Sequence, residues 1–129
     1  SVHAMVACEA ELDIERIKAI RQTIAIPLVL HGSSGVKESC EEEAIQHGIA
    51  KINVATLLNV AFTDALRKAL AENLETTDPR KLLVHSRDAV KETVRHKMRL
   101  FGCSGTVTSS GFVSPRTMHR SAELGGAEE

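Results

Sequence analysis

Two short apolar runs, Pro27 to Leu30 and Ile49 to Val54, constrain the fold of this chain more than any other feature. Each is rich in branched aliphatic side chains, is flanked by Gly or Pro and is too brief for a helix, so two buried strands are predicted. Strands buried on both faces are usually parallel. Between them lies a charged, helix-length segment, Lys37 to His47, followed by Gly48 in the position of a helix C-cap; the whole reads as strand, crossover helix, strand. Ligands of such units gather at the carboxyl ends of the strands. There the sequence places His31, Gly32, Ser33, Ser34 and Gly35 after the first run, and Asn53 and Thr56 after the second.

The flanking segments read as helices. Asp13 is a natural N-cap and Glu15 suits the first turn, ahead of Ile14, Ile17, Ile20 or Arg21, and Ile24 at helical spacing. After Thr56, an apolar stripe runs through Leu58, Ala61, Phe62, Ala65, Leu66, Ala69 and Leu70. Pro79, behind the cap Asp78, starts a last helix with Val90, Val94, Met98 and Phe101 on one side and Arg87, Lys91 and Arg95 opposite; Gly102 ends it. In the crossover helix, Glu41, Glu42 and Glu43 predict a hydrated acidic face. From Thr106 to Glu129 no period of either kind survives, which predicts a mostly disordered tail after a unit spanning residues 1–105.

Composition narrows the partners. The formal net charge is -1 and there is no Trp or Tyr, so neither non-specific attraction to nucleic acid or anionic membrane nor base stacking is expected. The basic side of the last helix is read as a solvated face with acidic neighbours. No run approaches membrane-spanning length and the chain opens on Ser1, so a cytoplasmic location is expected. Cys8, Cys40 and Cys103 are odd in number and widely spaced, which predicts reduced thiols.

Two histidines and two loops carry the chemistry. Ser1, Val2 and His3 read as the last residues of a strand whose beginning is absent, one helix-plus-strand unit before His31, so both imidazoles are expected at the mouths of adjacent parallel strands about 4.8 Å apart. That spacing lets them converge on one ion, although strand-end histidines more often satisfy local hydrogen bonds. Gly32, Ser33 and Ser34, with Asn53, Val54, Ala55 and Thr56 before the next helix, suit a phosphate held by backbone N–H groups and a helix dipole. The plainer alternatives are a tight turn and a helix cap. His47, His85, His96 and His119 fall in helices or the tail and take no role.

LVLHGSSG, KINVAT after Gly48, SVHA upstream and DPRKLLVHSRDAVKETVRHKMRLFGCSG downstream together resemble the C-terminal part of class II, zinc-dependent ketose-bisphosphate aldolases of the fructose or tagatose type. The resemblance covers roughly Ser1 to Gly105. It implies an α/β fold, the C-terminal portion of a TIM barrel from about the end of strand 6 to strand 8, followed by C-terminal helices. A complete barrel takes about 250 residues, so the 129 here cannot supply one. The resemblance implies Zn2+ held by His3, His31 and a third histidine outside this chain. It assigns Ala4, Gly32, Ser33, Ser34, Asn53, Val54, Ala55 and Thr56 to the phosphate of a sugar substrate, with a monovalent cation near Ala4. The implied reaction is reversible cleavage of a ketose 1,6-bisphosphate to dihydroxyacetone phosphate and glyceraldehyde 3-phosphate, the metal acting as Lewis acid. The acid/base residue for the aldehyde oxygen would lie in the absent half, so this chain is expected to be inactive alone and to seek a second copy or a complementary N-terminal half.

Several positions depart from the family pattern. Ala4 stands where glycine is usual, Val6 and Ala7 where a Tyr-Lys pair is common, Leu57 where glutamate follows the Asn-Val-Ala-Thr motif, and Glu41 where an aliphatic residue is usual. They are compatible with relaxed selection or with a shifted substrate, and those at Ala4 and Ala7 favour the alternative of a non-catalytic phosphate-binding or assembly module. A nucleic-acid-binding helical protein, resting on the last helix alone, is the weakest reading.

Overall fold

A computed structural model describes residues 10–108 and 111–112 of the chain. His3, Ala4, Val6, Ala7 and Cys8 therefore lie outside the described residues, as does the stretch 113–129. Six elements build the body: α1 (Ile14–Thr23), β1 (Leu28–Leu30), α2 (Glu38–Gln46), β2 (Ile49–Ile52), α3 (Thr56–Glu72) and α4 (Pro79–Leu100). The strands pair in parallel, as their apolar composition predicts, with α2 as the crossover. Val29 faces Lys51 and Leu30 faces Ile52, after a one-residue irregularity at Ala50.

The helix boundaries follow local chemistry. Asp13 caps α1, its Oδ1 accepting from the Arg16 N–H at 2.9 Å, and Asp78 caps α4 by accepting from the Arg80 N–H at 3.0 Å. Pro79 occupies the first turn of α4, where its missing N–H is not needed. Gly48, at φ 116°, follows the C-cap of α2. A side chain there would be strained by the backbone angle and would also collide with Arg21, whose Cγ and Cδ lie 2.8 Å from the Cβ position. Arg21 in turn donates to the Ile24 carbonyl at 2.9 Å, tying the end of α1 across the start of β2. Gly102, at φ 69°, closes α4, and the Cys103 N–H returns to the Met98 carbonyl.

Burial corrects two expectations. Glu41 is not on a hydrated face: it is fully buried, and Lys97 of α4 meets its Oε2 at 2.6 Å. Lys97 also reaches Glu38 Oε1 at 3.1 Å, while His96 Nε2 sits 2.8 Å from the same carboxylate. Glu38 and Glu41 lie one helical turn apart and so address a single lysine. His96, expected to be an ordinary surface residue, is exposed but takes part in this cluster. The second correction concerns α4. Its most buried residues are Ser86 and Lys97, whereas Val94 and Met98 of the expected core stripe are 37% and 50% exposed. Lys97 is turned toward α2, and part of the apolar side of α4 faces outward. On the basic side, Arg87 pairs with Asp88 and Arg95 with Glu92, consistent with a solvated face. Within the segment expected to be disordered, Val107–Thr108 and Gly111–Phe112 form a short antiparallel pair, β3 and β4.

The cluster sets a pH window. Burial alone would raise the Glu38 carboxyl, but its bonds to His96 and Lys97 prevail and hold it below the ordinary 4.5. Burial alone would lower Lys97, yet the Glu41 and Glu38 carboxylates raise it above 10.5. A depressed carboxyl contributes stability above its unfolded pKa and loses it as pH falls; a raised lysine contributes below its unfolded pKa and loses it as pH rises. Urea midpoints should therefore be flat between these limits and fall below about pH 4.5 and above about pH 10.5. A Glu38→Gln, Lys97→Met variant with the same acid and alkaline limbs as the parent would contradict this assignment.

Candidate active site

His31 and Asn53 stand side by side because the ladder continues past the assigned strands: the Asn53 N–H donates to the Leu30 carbonyl at 3.0 Å. Gly32 then takes φ 79°, the left-handed region in which glycine is at ease, and turns the chain over the end of the sheet. Ser33 is buried, and its hydroxyl donates to the Asn53 carbonyl at 3.2 Å, joining the two strand-end loops. The Val36 N–H closes a turn onto the Ser33 carbonyl, and Ala10 bridges Val36 in parallel beyond it.

These loops enclose an open cavity of about 90 Å³ lined by His31, Gly32, Ser33, Ser34, Asn53, Ala55 and Thr56. Complete small-molecule pockets are usually about 300–1,000 Å³, so the cavity is smaller than a complete pocket. Six of the seven residues expected at a phosphate and described here line it; Val54, between Asn53 and Ala55, does not. Ala4 lies outside the described residues.

The start of α3 gives the cavity its polarity. Its N-cap is Ala55, and no side chain bonds the first-turn amides. Alanine is among the poorest N-caps, and Ala55 supplies no side-chain bond to the helix start. A 17-residue helix instead opens its N–H groups and the positive end of its dipole beside the cavity. The serine loop is a turn, as its plainer reading held, but it also forms the facing wall. An arrangement of this kind has the polarity to suit an anion.

For a metal the fit is partial. His31 lines the cavity, and among the described residues no group of three or more His, Cys, Asp or Glu is placed to hold an ion. A catalytic zinc ordinarily takes three protein ligands and an open position. His31 provides one donor of the right chemistry, and His3 lies outside the described residues.

Sequence reasoning passes over Lys51, whose Nζ donates to Asn53 Oδ1 at 2.7 Å. Strand alternation puts residues 51 and 53 on one face and is the signal that finds it.

The model of class II fructose-bisphosphate aldolase matches residues 1–106. The chain belongs to the class II fructose-bisphosphate aldolase family. It is 45% identical over 105 residues to a fructose-bisphosphate aldolase of Geobacillus stearothermophilus, an alignment covering 81% of this chain and 37% of that protein. Among solved structures it resembles the YdjI aldolase of Escherichia coli K12, with a TM-score of 0.61 and 36% identity over 78% of this chain and 37% of that one. The chain thus spans a little over a third of each aldolase. The parallel pair, its crossover helix and this likeness fit a partial TIM barrel. No helix among the described residues is long and apolar enough to cross a membrane.

Proposed function

We propose that this chain is the phosphate-gripping part of a zinc-dependent aldolase that cleaves fructose or tagatose 1,6-bisphosphate reversibly. The observation that carries the proposal is the cavity joining His31, the glycine-serine loop and the uncapped start of α3. In this reading β1 and β2 are strands 7 and 8 of the barrel. The backbone N–H groups of Gly32, Ser33 and Ser34 face those of Ala55 and Thr56 across a substrate phosphate. Ser33 shapes the loop, since its hydroxyl already donates to the Asn53 carbonyl. Asn53, next to His31 in the lining, completes the phosphate wall. Zinc, when bound, supplies a Lewis acid for the substrate carbonyl. His31 and His3 would hold it with a third ligand from outside this chain, and a monovalent cation would sit near Ala4.

The proposal also requires a partner. Two parallel strands leave one sheet face uncovered: Val29 is 48% exposed and Ile26 more so. In a barrel that face is interior and packed. A complementary N-terminal half covers it in the active form, or a second copy of this chain does so without completing the metal site.

The test is aldol cleavage of fructose and tagatose 1,6-bisphosphates with added zinc, by this chain alone and after mixing with an N-terminal aldolase half. Activity confined to the mixture is the expected result. No cleavage in either case, with dihydroxyacetone phosphate still bound, would replace the proposal with the non-catalytic binding module, which the departures at Ala4 and Ala7 favour.

A further inference from the structure

We infer that Lys51 is a positioning residue for Asn53, fixing its carboxamide so that the amide edge is presented to the ligand. The inference rests on the site proposed above but concerns a residue outside the cavity lining. Its starting point is register. Val29 pairs with Lys51 across the sheet, so these two point to the same side, and two residues further along each strand that side carries His31 and Asn53. Lys51 therefore stands one layer below Asn53, on the face that leads into the cavity. Its ammonium lies 2.7 Å from Asn53 Oδ1.

The chemistry of the pair removes an ambiguity that asparagine otherwise carries. A carboxamide has an accepting edge and a donating edge, and the two exchange by a half-turn of the side chain. An ammonium donates and cannot accept. It consequently selects the orientation with Oδ1 on Lys51 and leaves Nδ2 as the edge available to a ligand. For an anion or a carbonyl oxygen the donating edge is the useful one; the reversed carboxamide would present an oxygen and repel it. The lysine also brings a positive charge beneath the anion site, adding to the dipole of α3.

The residue type strengthens the inference. Interior positions of parallel barrels are filled mainly by Val, Ile and Leu, and Val29, the partner of Lys51 in register, conforms. A lysine on that side becomes enclosed when the barrel is complete, and enclosed lysines are ordinarily paired. Among the described residues the side-chain partner of Lys51 is Asn53. A role confined to solubility would not require a 2.7 Å bond to a cavity-lining residue.

The test uses this chain labelled with 15N, with dihydroxyacetone phosphate as the probe and three forms: parent, Lys51→Met and Lys51→Arg. Without ligand, the Asn53 Nδ2 resonances of the parent should show a single ordered carboxamide; Lys51→Met should average them toward the free-amide position and Lys51→Arg should restore them. With ligand, Kd should rise about tenfold in Lys51→Met, the scale of one charge-assisted hydrogen bond, and less than threefold in Lys51→Arg. Lys51→Met with parent-like Asn53 signals and parent-like Kd overturns the inference. So does an equal loss in both variants, which would indicate general disruption rather than a lost donor. A parent that binds no dihydroxyacetone phosphate, while its Asn53 signals still respond to Lys51→Met and recover in Lys51→Arg, overturns the substrate proposal and supports the positioning step.

Discussion

Lys97→Met should destabilise the chain by about 3–5 kcal/mol, the typical effect of stranding one member of a buried ion pair. The fully buried carboxylate of Glu41 would lose the ammonium at its Oε2. Its other oxygen, Oε1, already has no hydrogen-bond partner among the described residues, so no second donor is at hand. The double replacement Glu41→Leu, Lys97→Met should behave oppositely and match or exceed the parent, because two desolvated charges are exchanged for apolar contacts of similar size. Urea unfolding measured at constant slope decides the matter. A single variant within about 1 kcal/mol of the parent, or a double variant as unstable as the single one, would show that the pair is hydrated in solution. Among the described residues the hydroxyl of buried Ser86 has no hydrogen-bond partner.

The second large effect is expected at His31. In the mixture of this chain with an N-terminal aldolase half, His31→Ala should lower aldol cleavage by at least about 10²-fold, since even the outer-shell partners of metal ligands count for 10–100-fold. Zinc retained per active site should fall in parallel. The replacement removes a side chain that is exposed in this chain, so the fold should survive, and unchanged urea midpoints would confirm that the loss is chemical. Cleavage and zinc content both equal to the parent's would remove His31 from the metal site and leave the cavity as an anion site alone.

How far the sequence carried the fold depends on the range of the signal. The strand-helix-strand unit and its loops were legible because each cue is local: a branched run, a capping Asp, a glycine at Gly48 or Gly102 that the backbone angle demands. The cavity residues followed, since strand ends and helix starts place them together. Lys51 was equally within reach, two residues from Asn53 in KINVAT, but a lone lysine in an apolar run draws the eye less than a strand-end histidine does. Glu41 was not within reach. Three consecutive glutamates read as a wet face unless one knows that Lys97, 56 positions away, meets the first of them. The same limit holds for the stripe on α4, where Lys97 is buried while Val94 and Met98 are not. Periodicity finds an apolar side in Val94 and Met98 but cannot say which side a buried charge will claim.

The hydroxyl bond from Ser33 to the Asn53 carbonyl joins residues only 20 apart in the chain. Closing a loop of that size is entropically inexpensive, and each doubling of its length would add only about 0.6 kcal/mol. The two strand-end loops are thus joined by near neighbours along the polypeptide. A cavity wall closed over so short a stretch of chain has a low contact order, the kind of contact that costs little entropy to form.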